Sequence, residues 1–336
     1  MSTIKDVAAK ACVSTATISK ILNNKSGISD KTRERVLSVM KELDYKPNAR
    51  AASLARKSNR NIAFLARIDS DTPYTNPHLF DIMTGAADYL SENGYTLSVY
   101  NTLGKKTVSI VEDVIGGGFA DAILVHAEAV DRELALYLSR EDINHIIIGH
   151  PCETRLCWID TNHITGGQVA AEHLLEMGYR KIGIIVDNQK DSIGNSRLEG
   201  FMDTLEMHGI PVDESLIFKA SYDMEGASDA AKSLLDKLDS IDAVITSSNL
   251  FAYGLSLEAE RRGLSIPDSF ALITFDLYPY TSIIRPMPSY VEIDVRAMGK
   301  SAAEMLLKEI DNPALKIQSF STIPKLVIRN TTPKVN

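Results

Sequence analysis

Near the start of the chain, apolar positions recur every three or four residues, the period of a helix that buries one face. Ile4, Val7, Ala8 and Ala11 form one set, Val13, Ile18, Ile21 and Leu22 a second, and Val36, Val39, Met40 and Leu43 a third. Each set has a start signal. Thr3 with Asp6 three residues on reads as a capping box with Asp in place of Glu, and Ser14 and Ser29 are N-cap residues. Three short helices are therefore predicted before residue 45, the first two joined by a tight turn at residues 11–13, as a helix-turn-helix requires. From residue 61 the pattern changes. The apolar runs NIAFLARI, TLSVYNT, ADAILVH and HIIIGHP alternate with a helical segment ending near Gly94, a helix to Val114 and one around residues 134–139. After Asp160 a similar series follows: TGGQVAAEHLLEMGY, KIGIIVD, SRLEGFMDTLEMHG, LIFKAS, a helix to Leu238, AVITSS, FAYGLSLEAERRG, FALITFD and a closing helix MGKSAAEMLLKEI. Strands alternating with helices predict doubly wound parallel sheets. The repetition predicts two similar subdomains.

The second short helix, VSTATISKILN, carries four hydroxyl residues, Ser14, Thr15, Thr17 and Ser19. Such side chains are indifferent helix formers. With the apolar side supplied by Val13, Ile18, Ile21 and Leu22, the residues Thr15, Ala16, Ser19 and Lys20 are left to point outward. Small donors, acceptors and a methyl suit base edges in the DNA major groove, which admits a helix. A merely solvated polar face is the bland alternative.

Charge changes that balance. The chain has 36 Lys/Arg and 44 Asp/Glu, but 13 and 5 of these fall in residues 1–60, leaving 23 and 39 in the rest. A head of net +8 on a body of net −16 predicts that only the head meets a polyanion. The segment KPNARAASLARKSNR carries five basic residues and no acid, so it reads as a linker, although Asn48 can cap a short helical run. No apolar run is long enough for a membrane span, and the N-terminus has no apolar signal core. Three cysteines, Cys12, Cys152 and Cys157, have no metal-ligand spacing and argue against a disulfide framework, which fits a cytoplasmic protein.

TIKDVAAKACVSTATISKILN, ISDKTRERV and LDYKPNARAASLA resemble, in order and spacing, the N-terminal domain of the LacI/GalR family of bacterial transcription regulators. NPHLFDIMTG, GGQVAAEHLLEMGYRKIGII, NSRLEGF, SSNLFAYG and ITFD extend the resemblance to its effector domain, which is similar to type I periplasmic sugar-binding proteins. The resemblance implies an all-α helix-turn-helix domain at 1–46, a hinge helix at 47–60, and an effector-binding and dimerisation domain at 61–336. By the same analogy the chain crosses between lobes near Thr161, Pro288 and Ser321. That makes an N-lobe of 61–161 plus 290–320 and a C-lobe of 162–288 plus 322–332. It implies DNA contacts from Thr3, Ser14, Thr15, Ala16, Thr17, Ser19, Lys20, Asn23, Tyr45 and Asn48. Leu54 occupies the position where the family wedges a leucine into the minor groove, bending the DNA. Ala52 stands where many relatives have arginine. The partners implied are double-stranded operator DNA, a second subunit or more of the same chain, and a small-molecule effector.

Ligands of doubly wound sheets bind at the carboxyl ends of strands. Arg197, in RLEGF, can clamp hydroxyls or a carboxylate, and Asp276, ending ITFD, can accept paired sugar hydroxyls. Asn249 stands where relatives often have Asp, and His78 and Leu79 replace a usual aromatic pair. Tyr222 offers a ring for stacking, and His150 and Trp158 lie near the expected first crossing. A carbohydrate effector follows from Asp276, Arg197 and Asn249. Two rivals compete: a regulator controlled by a phosphoprotein co-repressor, and a sugar- or nucleotide-modifying enzyme fused to a DNA-binding head. The second has little to stand on. Gly116, Gly117 and Gly118 precede a strand, whereas a dinucleotide loop follows one, and there is no P-loop or GxSxG elbow. No catalytic set, metal site or cofactor is expected.

Overall fold

The computed structural model describes residues 2–22, 27–45, 58–70, 72, 78–151, 156–189, 193–312 and 319–335. Asn23, Asn48, Ala52 and Leu54, and with them most of the expected hinge helix, lie outside the described residues.

The head is three helices, α1 (Ile4–Lys10), α2 (Thr15–Leu22) and α3 (Asp30–Glu42). Thr3 and Asp6 form the reciprocal capping box, the Asp6 carboxylate accepting the Thr3 amide at 2.7 Å. The turn into α2 is made by Cys12 in the left-handed region at φ 49°, and Ser14 Oγ accepts the Thr17 amide at 3.1 Å. Ser29 caps α3 through Thr32. Val7, Ala8, Ala11, Ile18, Ile21, Val36, Val39 and Met40 form the head's core. Leu22 departs from the expected apolar side: at 36% exposure it stands at the end of α2, a turn past the packed Ile18. Ser19, on the same helical face, is half-buried and so less open than Thr15, Ala16 and Lys20.

The body has two six-stranded sheets. The first runs β11-β5-β4-β3-β1-β2, from β1 (Asn61–Ala66), β2 (Thr96–Asn101), β3 (Ala122–His126), β4 (His145–Ile148), β5 (Trp158–Thr161) and β11 (Ser319–Thr322), all parallel. The second runs β12-β10-β9-β8-β6-β7, from β6 (Ile182–Asp187), β7 (Ile217–Ala220), β8 (Ala243–Thr246), β9 (Ala271–Phe275), β10 (Ser289–Glu292) and β12 (Lys325–Val327), only β12 being antiparallel. Helices cover both faces, so central strands such as β6 are buried at every position, which is why they read as unbroken apolar runs.

The chain passes between sheets three times. The first passage follows Thr161, into α7 (His163–Glu176). The second falls later than the expected Pro288: β10 pairs with β9 in the second sheet, and only α11 (Val295–Asp311) returns, packing on α4 (His78–Glu92). The third lies between Thr322 and Lys325, near the expected Ser321, because β11 pairs with β5 through Thr322. The expected helix to Val114 is a short α5 (Thr107–Val111) that widens into a π-turn over Glu112–Gly116. Both lobes use the same helix-pair device. In the second, α7 meets α8 (Ile193–Met207) so closely that a methyl on Gly167 would overlap the Arg197 carbonyl oxygen, and one on Gly200 that of Ile164.

Candidate functional site

Asp276 follows β9 directly and adopts φ 64°, a left-handed conformation that costs a non-glycine residue on the order of 1 kcal/mol. Its amide donates to Val291 O at 2.9 Å and its carbonyl accepts the Thr281 hydroxyl at 2.6 Å, so the conformation is held from both sides. Its carboxylate turns toward Arg197, whose Nη2 lies 3.7 Å from Oδ2, and toward His78, whose Nε2 lies 3.9 Å from the same oxygen. His78 opens α4 in the first lobe, and Arg197 sits on α8 in the second. One carboxylate thus faces both lobes.

Arg197 is 4% exposed. Its guanidinium lies 3.9 Å over the Phe275 ring and donates through Nη1 to the Ser247 carbonyl at the end of β8. Burial pulls its pKa down, and the neighbouring Asp276, Tyr222, Asp160 and Asp187 push it back. Its Nε and the Asp276 Oδ1 are buried without a hydrogen-bond partner. A buried donor and a buried acceptor left open side by side are complementary to a hydroxyl, which donates and accepts.

The structure sorts the remaining expected residues. Tyr222 is 45% exposed, with its ring edge-on to Phe251 at 5.9 Å. Asn249, the first residue of α10 (Asn249–Arg261), uses its amide to hold the Tyr278 carbonyl at 2.6 Å, so it shapes the loop after Asp276. Leu79 is not beside His78 in the cleft. It belongs to the buried stripe Leu79, Ile82, Ala86 and Leu90 of α4, because a one-residue step turns a helix by about 100°. His150 and Trp158 pack edge-to-face at 4.7 Å.

Three residues were missed by the sequence reading. Asp160 in β5 is 8% exposed, accepts the Thr161 amide at 2.7 Å, and lies 3.5 Å from His163 Nε2 at the first passage between lobes. Neither ring nitrogen of His163 makes a hydrogen bond. His126 ends β3; burial lowers its pKa, opposed by Glu128 and Asp160. The rule that found Asp276, a polar residue at a strand's carboxyl end, applies equally to Asp160 and His126. Asp160, Asp187 and Asp276 all act on the Arg197 guanidinium, and among the described residues this surplus of carboxylates favours a neutral polyhydroxy ligand over a phosphate or carboxylate. Among the described residues no group of three His, Cys, Asp or Glu side chains is arranged to hold a metal ion.

On the head, Thr15, Ala16 and Lys20 are exposed on α2. Ser14 and Thr17 share a 2.9 Å hydroxyl–hydroxyl contact at the start of that helix, and Thr3 is engaged in its capping box. Tyr45 is half-buried against the head's core.

Residues 3–48 match the model of bacterial regulatory proteins of the lacI family, and residues 171–332 that of a periplasmic binding protein-like domain. The HTH-type transcriptional repressor PurR of Escherichia coli O139:H28 is 30% identical over 98% of this chain and 97% of its own length. The chain belongs to the LacI family. Another relative, the ribose operon repressor of Haemophilus influenzae, is 29% identical over 98% of each chain. A lac repressor dimer bound to operator and the anti-inducer ONPF superposes with a TM-score of 0.76 over 99% of each chain; at 20% identity this likeness speaks for the LacI fold alone. No helix among the described residues is long and apolar enough to cross a membrane.

Proposed function

We propose that this LacI-family repressor is a cytoplasmic homodimer that reads operator DNA through Thr15, Ala16 and Lys20 and is controlled by a neutral carbohydrate bound between its lobes. The observation that carries the effector half is the Asp276 carboxylate, which faces His78 from the first lobe and Arg197 from the second. A ligand donating a hydroxyl to Asp276 Oδ1 and accepting from Arg197 Nε satisfies both open groups on the second lobe, beside His78 of the first. The carboxylates Asp160, Asp187 and Asp276 around Arg197 support an uncharged ligand, and the name of the ribose operon repressor relative is in keeping with a sugar. Control is a population shift: the ligand acts through its different affinity for two lobe arrangements, which set the separation of the two linkers and so of the two heads. Leu54, in the linker, adds the minor-groove wedge.

Thr15, Ala16 and Lys20 support the DNA half because they are exposed on a helix whose Ile18 and Ile21 pack into the head and whose start is capped by Ser14. Lys20 can donate to guanine and the Thr15 methyl can meet thymine. The expected outcome of removing residues 1–60 is a body that is still stabilised in thermal-shift assays by the same sugar as the full chain and no longer binds an operator selected by the full chain. The full chain's operator affinity falls steeply with salt, since phosphate contacts release counterions. Retention of operator binding by residues 61–336, or a flat salt response, contradicts the assignment.

A further inference from the structure

The last residues of the linker are held far more firmly than entry into a strand requires. A bond from the Asp121 amide to the Asn61 carbonyl, 2.8 Å, already joins the starts of β1 and β3. In addition, the Asp121 carboxylate accepts three donors from upstream of β1: the Ser58 hydroxyl at 2.6 Å, the Asn59 amide at 2.8 Å and the Arg60 amide at 2.8 Å. The Asn59 side-chain amide donates to the Gly118 carbonyl, and that of Asn61 to Phe119 O at 2.8 Å. Arg60 adopts a left-handed φ of 48° and lays its guanidinium 5.8 Å from the centre of the Tyr95 ring. A left-handed arginine persists only where its surroundings hold it, and here two of its neighbours' donors and its own amide end on one carboxylate. The run Gly116–Gly118, which fits no dinucleotide loop, acquires a role. It turns the chain, with Gly118 at φ 67°, so that the Gly118 and Phe119 carbonyls and the Asp121 carboxylate converge on residues 58–61.

We infer that Asp121 is a positioning residue for operator binding: its carboxylate fixes the point and the direction in which the linker leaves the body. The inference rests on the assignment of DNA binding to residues 1–60. Two heads of a dimer must reach half-sites at one spacing. Each head's effective concentration at its half-site depends on the length of chain between it and the body's anchor and on the direction in which that chain leaves. Releasing residues 58–60 lengthens that chain in both subunits and lets its exit direction wander.

The test uses the full chain and a duplex selected from random sequence by the wild-type protein. Asp121→Asn keeps the shape of the side chain but replaces one acceptor oxygen by a donor that faces backbone N–H groups. The expected result is faster hydrogen exchange at the Asn59 and Arg60 amides, and an operator Kd raised at least about fivefold at matched folded fraction. Ser58→Ala, which leaves β3 untouched, moves both readouts the same way by less. Unchanged operator affinity despite faster exchange overturns the positioning role, and so does undisturbed amide protection in Asp121→Asn. A wild-type chain that selects no duplex instead overturns the assignment of DNA binding to the head, while the exchange result still decides whether Asp121 is the anchor.

Discussion

Arg197→Ala and Asp276→Ala each abolish the response to effector while leaving the head's grip on DNA intact. Arg197 is 4% exposed, lies over Phe275 and donates to Ser247 O, so no other cation can take its place beside Asp276. Its removal leaves the Asp276 carboxylate with His78 alone, 3.9 Å away. Removing Asp276 leaves the buried Arg197 guanidinium without its carboxylate and removes the His78–Asp276 contact between the lobes. Truncating one partner of a buried charged hydrogen bond costs about 2–5 kcal/mol. At 2 kcal/mol that is roughly a 30-fold loss of affinity. Calorimetry with the sugar that stabilises the wild-type chain gives the measurement, and Asp276→Asn, which keeps the volume, separates charge from packing. Ligand affinity unchanged in both alanine variants removes these residues from the site.

Gly167→Val destabilises the second lobe and distorts the effector site. A side chain at Gly167 meets the Arg197 backbone carbonyl, and neither helix can give way, since Gly200 is pressed equally against the Ile164 carbonyl. Overpacking a tight core costs about 1–3 kcal/mol where side chains can move, and more where the obstacle is backbone. A loss of about 3 kcal/mol lowers the Tm by roughly 10 °C. The same shift moves Arg197 off Phe275, so ligand affinity falls together with stability. Gly116→Ala is the control: a methyl there meets nothing within 4 Å and its φ is not left-handed, so its Tm stays within a few degrees of wild type. A Gly167→Val chain as stable as Gly116→Ala contradicts the close packing of α7 on α8.

What was readable in advance follows the range of the forces involved. Caps are local, and Thr3, Ser14 and Ser29 were identifiable from two or three neighbours. Strands buried on both faces announce themselves as apolar runs, so the alternation of β and α was legible from residue 61 onward. Strand order was not, because β1 between β2 and β3 is decided by pairing across 35 and 60 residues. The second passage between lobes was placed too early for the same reason. Pro288 reads as a break, whereas the pairing of Ser289–Glu292 with β9 that keeps the chain in the second sheet has no local mark. In the site, Arg197 and Asp276 stood in motifs near strand ends, but Asp160 and His163 fell within a stretch read only as a passage between lobes. Leu79 shows the converse error, a neighbour in sequence that the helix turns into the core.

The central claim is that one molecule between the lobes and operator DNA at the head bias the same two-state body. Linkage makes this measurable in one closed cycle. The affinity of the full chain for its selected operator is measured with and without the sugar that stabilises it. The affinity for that sugar is then measured with and without operator. The two ratios are expected to be equal and to differ from one, by about 5- to 150-fold. A sugar that binds with the same affinity to the free and the operator-bound protein contradicts it.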